Sequence, residues 1–222
     1  MWRDAWAVAA KDLRIELRSR VGVNQVVPFA VLVLLLFAFA LGPDRKALAS
    51  AAAGLFWLAV LFSAVLAVQR SFAIESADGA RDGLRLSGLD PAGIFLGKAA
   101  AVVVQLAALE VVVGAGVVVL YGAHMSGVGL VLGASALGTV GIAAAGMAYG
   151  AIASGLRVSE TLLPLLLLPV VVPVLLAGTK TWDAALTGHL ANGMPWLRLL
   201  ALFAIVYSAL GLLAFGPLLE AS

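Results

Sequence analysis

One carboxylic acid, Glu110, lies in the middle of a long apolar stretch. No other Asp, Glu, Lys or Arg occurs between residues 99 and 121. A bare carboxylate is costly in hydrocarbon, so Glu110 is expected to be neutral, paired or turned toward a polar cavity. Gln105 lies about 140° away around a helix and does not share its face. Both a transport role and a packing role stay open for Glu110.

Intramembrane catalysis and metal binding are weakly supported. Such catalysis needs a positioned constellation of groups, and no His, Asp or Ser cluster accompanies Glu110 at a matching depth. The histidines, His124 and His189, fall in predicted loops. Imidazoles ligate metals and haem iron, but isolated loop histidines are more often solvated. The chain has no Cys, which excludes disulfides, thiolate nucleophiles and Cys-based zinc sites.

A nucleotide site is absent from the sequence. The segment from Gly93 to Ala99 resembles a P-loop, but three residues instead of four separate its glycines, and Ala99 replaces the hydroxyl that binds magnesium. The chain is therefore expected not to be an enzyme. If it belongs to an exporter, ATP is hydrolysed by another polypeptide.

Residues 69–97 form the longest connection between predicted membrane helices, and they mix charged with apolar side chains. This mixture is typical of a protein–protein interface, so we predict a docking loop for an ATPase. The alternative is a helix that rests on lipid. Asp90 and Pro91 form an N-cap and N1 pair that begins the next membrane helix. The candidate docking residues are Glu75, Asp78, Arg81, Asp82, Leu84, Arg85 and Leu86.

Composition indicates a membrane protein. Of 222 residues, 63% are hydrophobic and 12% are charged, and the mean hydropathy is +1.10. A soluble domain of this length would be more polar. The net charge of +2 gives no basic groove, so nucleic-acid binding is not expected. Crossing a bilayer takes about 20 apolar helical residues, and six stretches qualify: 22–41, 48–68, 98–120, 128–153, 161–178 and 198–219.

The sequence thus predicts an all-α integral membrane protein with six transmembrane helices in residues 21–222. Residues 1–20 should form an amphipathic interfacial helix, with Trp2, Trp6 and Leu13 on one face and basic residues on the other. Most Lys and Arg residues fall in this helix and in the loops after the second and fourth spans. The positive-inside rule then places both termini in the cytoplasm.

Glycine and proline patterns give further expectations. The pairs Gly129–Gly133 and Gly146–Gly150 are spaced for close approach to another helix, within this chain or in another subunit. Three prolines in the fifth span predict a bent or bipartite helix. Residues 179–197, with Trp182, are expected to form an external surface helix.

Four motifs together resemble the CcmB family, the haem exporter B subunits of cytochrome c maturation. They are residues 11–20, residues 54–57, the 75–98 loop ending in Phe95-Leu96-Gly97-Lys98, and residues 162–169 followed by Pro173. The resemblance covers nearly the whole chain. It implies an ABC-2-type permease subunit in the bacterial inner membrane, with the coupling helix in the 75–98 loop.

The same resemblance implies a set of partners. They are a CcmA-like ABC ATPase that binds the ATP, CcmC-like and CcmD-like membrane subunits, and a CcmE-like haem chaperone. The complex would handle haem, and no residue of this chain is assigned a cofactor. Two other readings stay open, a generic ABC-2 exporter of a drug, lipid or polysaccharide, and a membrane scaffold that transports nothing. Gene neighbourhood would separate the first of these from the CcmB reading.

Overall fold

The protein is a bundle of long helices, as its apolar stretches require. The computed structural model describes residues 1–20, 22–42, 44–76, 88–122, 126–154 and 159–221. Within these ranges every regular element is helical. The elements are α1 (Trp2–Ser19), a π-helical turn (Gly22–Val26), α2 (Val27–Ala40), α3 (Arg45–Ser76), α4 (Pro91–Tyr121), α5 (Val128–Ser154), α6 (Ser159–Leu186) and α7 (Leu190–Ala221).

Five of the described helices, α3 to α7, are long and apolar enough to cross a membrane, and a sixth span is possible if α1 and α2 count as one broken span. The prediction of an all-helical multi-pass membrane protein is confirmed. The first predicted span, 22–41, is less simple than expected, because α2 has 14 residues, or about 21 Å. The chain bends by 52° between α1 and the segment that begins at Asn24. Pro28, which has no N–H to donate to a preceding carbonyl, follows this break.

The predicted surface helix at 179–197 is wrong. Helix α6 runs without a break through Pro164, Pro169 and Pro173 to Leu186, and α7 begins at Leu190. The side chain of Trp182 is 1% exposed, so it belongs to the protein core and not to the membrane interface. Lys180 and Asp183 suggested a loop, but both lie on the exposed face of the continuing helix.

Helix α3 packs its large side chains into glycines of α5 and α6. Trp57, which is 1% exposed, fills the space beside Gly138 and Gly178, where an added Cβ would lie 2.3 Å from the indole ring. Further along the contact between α3 and α5, Phe72 packs against Gly150, where an added Cβ would lie 2.2 Å from the phenyl ring. Small residues thus allow α3, α5 and α6 to meet around a bulky aromatic core.

One of the two predicted glycine pairs packs against another helix within this chain. At Gly146 an added Cβ would lie 2.6 Å from Val68, so the Gly146–Gly150 pair does receive side chains of α3. Among the described residues, no atom lies within 4 Å of a Cβ added at Gly129, and a Cβ added at Gly133 would meet only Leu197, at 3.3 Å. The spacing of two glycines does not by itself distinguish a packed face from an open one.

Helix α1 lies against the beginning of α4. A Cβ added at Gly93 would lie 2.8 Å from the carbonyl oxygen of Met1, and a Cβ added at Gly97 would lie 2.6 Å from that of Ala5. The glycines of the P-loop-like segment therefore serve helix packing. The buried stripe of α1 consists of Ala5, Val8 and Ala9.

The two-faced reading of α1 needs a correction. Trp2 and Trp6 are 74% and 78% exposed, as expected for side chains that face a bilayer. Ala9 lies on the same helical face as the tryptophans by its spacing, yet it is buried in the protein. The helix has a third, protein-facing side, because residues 5, 8 and 12 point away from both the tryptophans and the bases.

Candidate functional site at the junction of three helix ends

Lys98 is a buried cation at the place where α1, the end of α3 and the beginning of α4 meet. Its side chain is 1% exposed. The ammonium Nζ lies 3.4 Å from Asp12 Oδ2, and it donates to the carbonyl oxygen of Ser71 at 3.2 Å and to Ser71 Oγ at 3.0 Å. It also lies 5.3 Å from the centre of the Phe72 ring, within range of a cation–π interaction. One ammonium group therefore links all three helices.

Arg70 makes a second link one turn further along α1. Its guanidinium lies 3.3 Å from Glu16 Oε2 and donates to Ser19 Oγ at 3.1 Å. Its Nε is buried and has no hydrogen-bond partner among the described residues. We call Asp12, Glu16, Arg70, Ser71 and Lys98 the charge clamp.

The first turn of α1 is attached to the N-terminus of α4. Asp90 caps α4 through Oδ1, which accepts the Ala92 N–H at 3.0 Å, as the sequence predicted. The Asp90 N–H in turn donates to Asp4 Oδ2 at 3.3 Å, and the Met1 ammonium lies within 3.4 Å of both carboxylates. The hydrogen bond from Asp90 and that from the Met1 ammonium hold the pKa of Asp4 below its usual value. The Asp4 carboxylate raises the pKa of the Met1 amino group.

The charge clamp fixes both flanks of the predicted docking loop. Helix α3 ends at Ser76, and α4 begins at Pro91, so the loop leaves and re-enters the bundle beside α1. Asp78, Arg81, Asp82, Leu84, Arg85 and Leu86 lie outside the described residues, and Glu75 is described only as part of the α3 backbone. Their docking role stays a prediction.

Glu110 has a partner and borders a cavity. The Thr139 hydroxyl of α5 donates to Glu110 Oε1, and Thr139 is 1% exposed. A cavity of about 390 Å³ lies beside the acid, between α3, α4, α5 and α6. Phe56 and Trp182, which stack with their ring centres 3.7 Å apart, form one wall. The indole N–H of Trp182 has no hydrogen-bond partner among the described residues.

The histidines are not brought together with other ligands. His189 is exposed in the short α6–α7 connection, and its Nδ1 lies 3.2 Å from Thr187 Oγ1. His124 lies outside the described residues. Among the described residues, no group of three or more His, Asp or Glu side chains is placed to hold a metal ion.

Sequence reasoning missed the role of the charge clamp. Arg70 and Lys98 were counted as orientation signals and as parts of the loop and its motif, but not as partners of α1. Asp12 and Glu16 were overlooked because α1 carries so many bases. The available signal was their spacing, since Asp4, Asp12 and Glu16 fall within about 120° of arc around a helix. Acids on a single side of a basic helix predict a partner with positive charge, and α3 and α4 each offer one.

Comparison with known proteins gives a consistent result. A family model described as CcmB protein matches residues 3–222. A protein of Paracoccus denitrificans named Heme exporter protein B is 32% identical over 218 residues, which are 95% of this chain and 94% of that protein. Proteins of the same name from Bradyrhizobium diazoefficiens and Rhodobacter capsulatus are 30% and 31% identical, over 88% and 78% of this chain and 88% and 80% of their own lengths.

Proposed function

Because the chain belongs to the CcmB family, we propose that it is the membrane-spanning permease subunit of an ABC-type exporter that serves cytochrome c maturation. The observation that carries this proposal is the family match over residues 3–222, supported by relatives named Heme exporter protein B. The subunit performs no chemistry of its own. ATP is hydrolysed by a separate CcmA-like ATPase, and the energy is used to export haem or to release a haem-loaded chaperone.

The ATPase docks on residues 75–90. This loop combines charged and apolar side chains, as docking surfaces do. The charge clamp supports the assignment, because a loop transmits a push only if the helices on both its sides are rigidly held. Lys98 and Arg70 tie α3 and α4 to α1 at the positions where the loop is attached. Movement of the loop would therefore move three helices together.

The clamp end of the bundle faces the cytoplasm. The bases of α1 lie at this end together with Arg70 and Lys98, and positive loops stay cytoplasmic. The CcmC-like and CcmD-like subunits and the CcmE-like haem chaperone complete the complex on the membrane and on its far side. The membrane is the bacterial inner membrane, where an ATP-driven exporter reaches cytoplasmic ATP.

A double substitution tests the docking surface. Glu75→Lys together with Leu84→Asp reverses a charge and removes an apolar contact, so we expect co-purification with the ATPase to be lost while membrane insertion is unchanged. The matched control, Asp183→Lys with Leu190→Asp, makes the same chemical changes at the opposite end, where Asp183 is exposed and Leu190 is 43% exposed. The ATPase should remain bound to the control. Retention of the ATPase by the loop variant would refute the docking assignment.

A further inference from the structure

A second cavity, of about 300 Å³, opens between α1, α2, α3 and α4. This volume is at the lower end of the range typical of ligand sites, roughly 300–1,000 Å³. The cavity differs in position and lining from the one beside Glu110. Its walls are apolar apart from Glu16, Arg70, Gln105 and Ser63, and the other lining residues are Leu13, Leu17, Val26, Val27, Ala67, Val104, Leu106, Ala108, Leu109 and Val112.

The lining of this cavity follows the axis of α4. The α4 residues that line it run from Val104 to Val112, which corresponds to about 12 Å of helix. Val104 and Val112 are 51% and 39% exposed, and Ala108 between them is exposed as well. These residues form one stripe of α4, so the cavity opens sideways, toward the hydrocarbon.

Charge is confined to one end of the cavity. Arg70 and Glu16 belong to the charge clamp, at the level where charged residues of α1, α3 and α4 collect. The segments of α3 and α4 beyond it, residues 51–68 and 99–109, carry no charged residue. Charges that gather at one end of apolar helices mark the headgroup layer. The cavity thus joins headgroup depth with acyl-chain depth.

The charge at the mouth favours an anion. One nitrogen of the Arg70 guanidinium serves Glu16 and Ser19, and the buried Nε has no hydrogen-bond partner among the described residues. The Arg70 side chain as a whole is 31% exposed, and a guanidinium has five N–H donors, so donors remain for a phosphate oxygen at the mouth. Residues 11–20 contain four bases and two acids, so the surroundings stay positive although Glu16 is present.

We propose that this cavity is a binding site for an anionic phospholipid, with one acyl chain between α1 and α4 and the phosphate on the Arg70 guanidinium. The bound lipid fills the gap left by the 52° bend before α2 and supports α1 from the side that the protein does not cover. The site is independent of the partner ATPase and of the proposed function.

Photolabelling of the purified full chain tests the site. The probe is a phosphatidylglycerol with a diazirine on an acyl chain, added to the protein in dodecyl maltoside micelles, and adducts are mapped by peptide mass spectrometry. We expect adducts on residues 13–17, 63–70 and 104–112. Unlabelled phosphatidylglycerol should compete about tenfold better than phosphatidylcholine, as one charge-assisted contact allows.

Substitutions test the binding of the acyl chain and the binding of the lipid headgroup separately. Ala67→Phe fills the cavity and should remove the adducts, and Ala108→Phe does so from the exposed side if the first variant folds poorly. Arg70→Gln should abolish the preference for the anionic lipid, while Arg70→Lys should retain it. The controls are Ala136→Phe, in the cavity beside Glu110, and Arg198→Gln, an exposed base at the opposite end.

Two outcomes would overturn the proposal. Adducts scattered over all lipid-facing helices, or unchanged in both cavity-filling variants, would mean that the cavity holds no specific lipid. Equal competition by the two unlabelled lipids would remove the role given to Arg70.

Discussion

Lys98 illustrates at the residue scale how this chain positions its helices with a few charges. Burying an ammonium is costly unless a counter-charge and hydrogen bonds compensate for the lost hydration. Asp12 and Ser71 supply both, from α1 and from α3. The charge therefore stabilises only the arrangement in which α1, α3 and α4 meet at this place.

The buried pair gives a prediction on stability. Asp12→Ala removes the carboxylate that faces Lys98 and should lower the free energy of unfolding by about 3 kcal/mol, because an uncompensated buried charge remains. Lys98→Met replaces the cation with an apolar side chain of similar length and should cost less. Adding Lys98→Met to Asp12→Ala should recover part of the loss. Denaturant unfolding in micelles, followed by tryptophan fluorescence, measures all three.

The exposed Asp183 provides the control for this series. Asp183→Ala should change stability by no more than about 0.5 kcal/mol, as is usual for surface substitutions. If Asp12→Ala were equally mild, the charge clamp would not hold the helices.

Individual functional residues were only partly predictable from the sequence. Glu110 was found because a lone carboxylate in an apolar run is conspicuous, and its partner Thr139 could not be found because the contact joins residues 29 positions apart. Asp12 and Glu16 were hidden among the bases of α1. Their meaning depends on Lys98 and Arg70, which lie far away in the sequence.

At the element scale, α3 packs against α5 and α6 at positions where glycines leave space for large side chains. Gly138 of α5 and Gly178 of α6 leave room for the indole of Trp57, and Gly146 and Gly150 receive Val68 and Phe72. Sequence spacing identified the last two glycines but not the first two. A single glycine opposite a tryptophan has no local signature, so only the three-dimensional packing reveals it.

Two glycines of the same helix provide a matched test of this packing. Gly138→Ala places a Cβ 2.3 Å from the Trp57 ring, so the ring must shift, and overpacking of this kind costs about 1–3 kcal/mol. Gly129→Ala meets nothing within 4 Å and should be neutral or stabilising by up to about 1 kcal/mol, since Ala favours helix over Gly. Unfolding in micelles measures the stability of both variants. Comparable losses of stability would contradict the role given to the packing of Trp57 against Gly138.

Element boundaries were predicted well where the apolar run alone decides them. Helix α5 (Val128–Ser154) matches its predicted span of 128–153. Helix α6 extends eight residues beyond its predicted end at 178, because Lys180 and Asp183 lie on its exposed face and do not interrupt it. The boundary between the helix at 1–20 and the span at 22–41 was predicted, but the π-helical turn at Gly22–Val26 was not, because the apolar content of a segment does not distinguish a π-helical turn from an α-helix.

The molecule as a whole is a multi-pass membrane protein whose charged residues are concentrated at its two ends. The proposed orientation puts α1 and the charge clamp in the cytoplasm. Alkaline phosphatase is active only outside the cytoplasm, so a fusion in the α6–α7 connection, at Gly188, should be active. A fusion within residues 77–87 should be inactive. The reverse pattern in cells would invert the topology and place the predicted docking loop out of reach of an ATPase.

The family and the helical architecture could be predicted from the sequence. The composition is that of a membrane protein, and several motifs occur in the order typical of the family. The way that α1 docks on α4 could not be predicted, because it depends on Gly93 and Gly97 accepting the backbone of another helix. That docking is also what ties the loop flanks together. The proposal that movement of the loop reaches three helices therefore rests on contacts that the sequence alone does not indicate.

The most direct test of the central claim is an affinity purification of the full chain from native membranes in mild detergent, with the bound proteins identified by mass spectrometry. The proposed function predicts an ABC ATPase in defined stoichiometry, together with the haem-handling proteins of cytochrome c maturation. Recovery of an ATPase without them would favour an exporter of another cargo. Recovery of no ATPase, from membranes that contain it, would contradict the claim that this chain is the permease subunit of an ABC-type exporter.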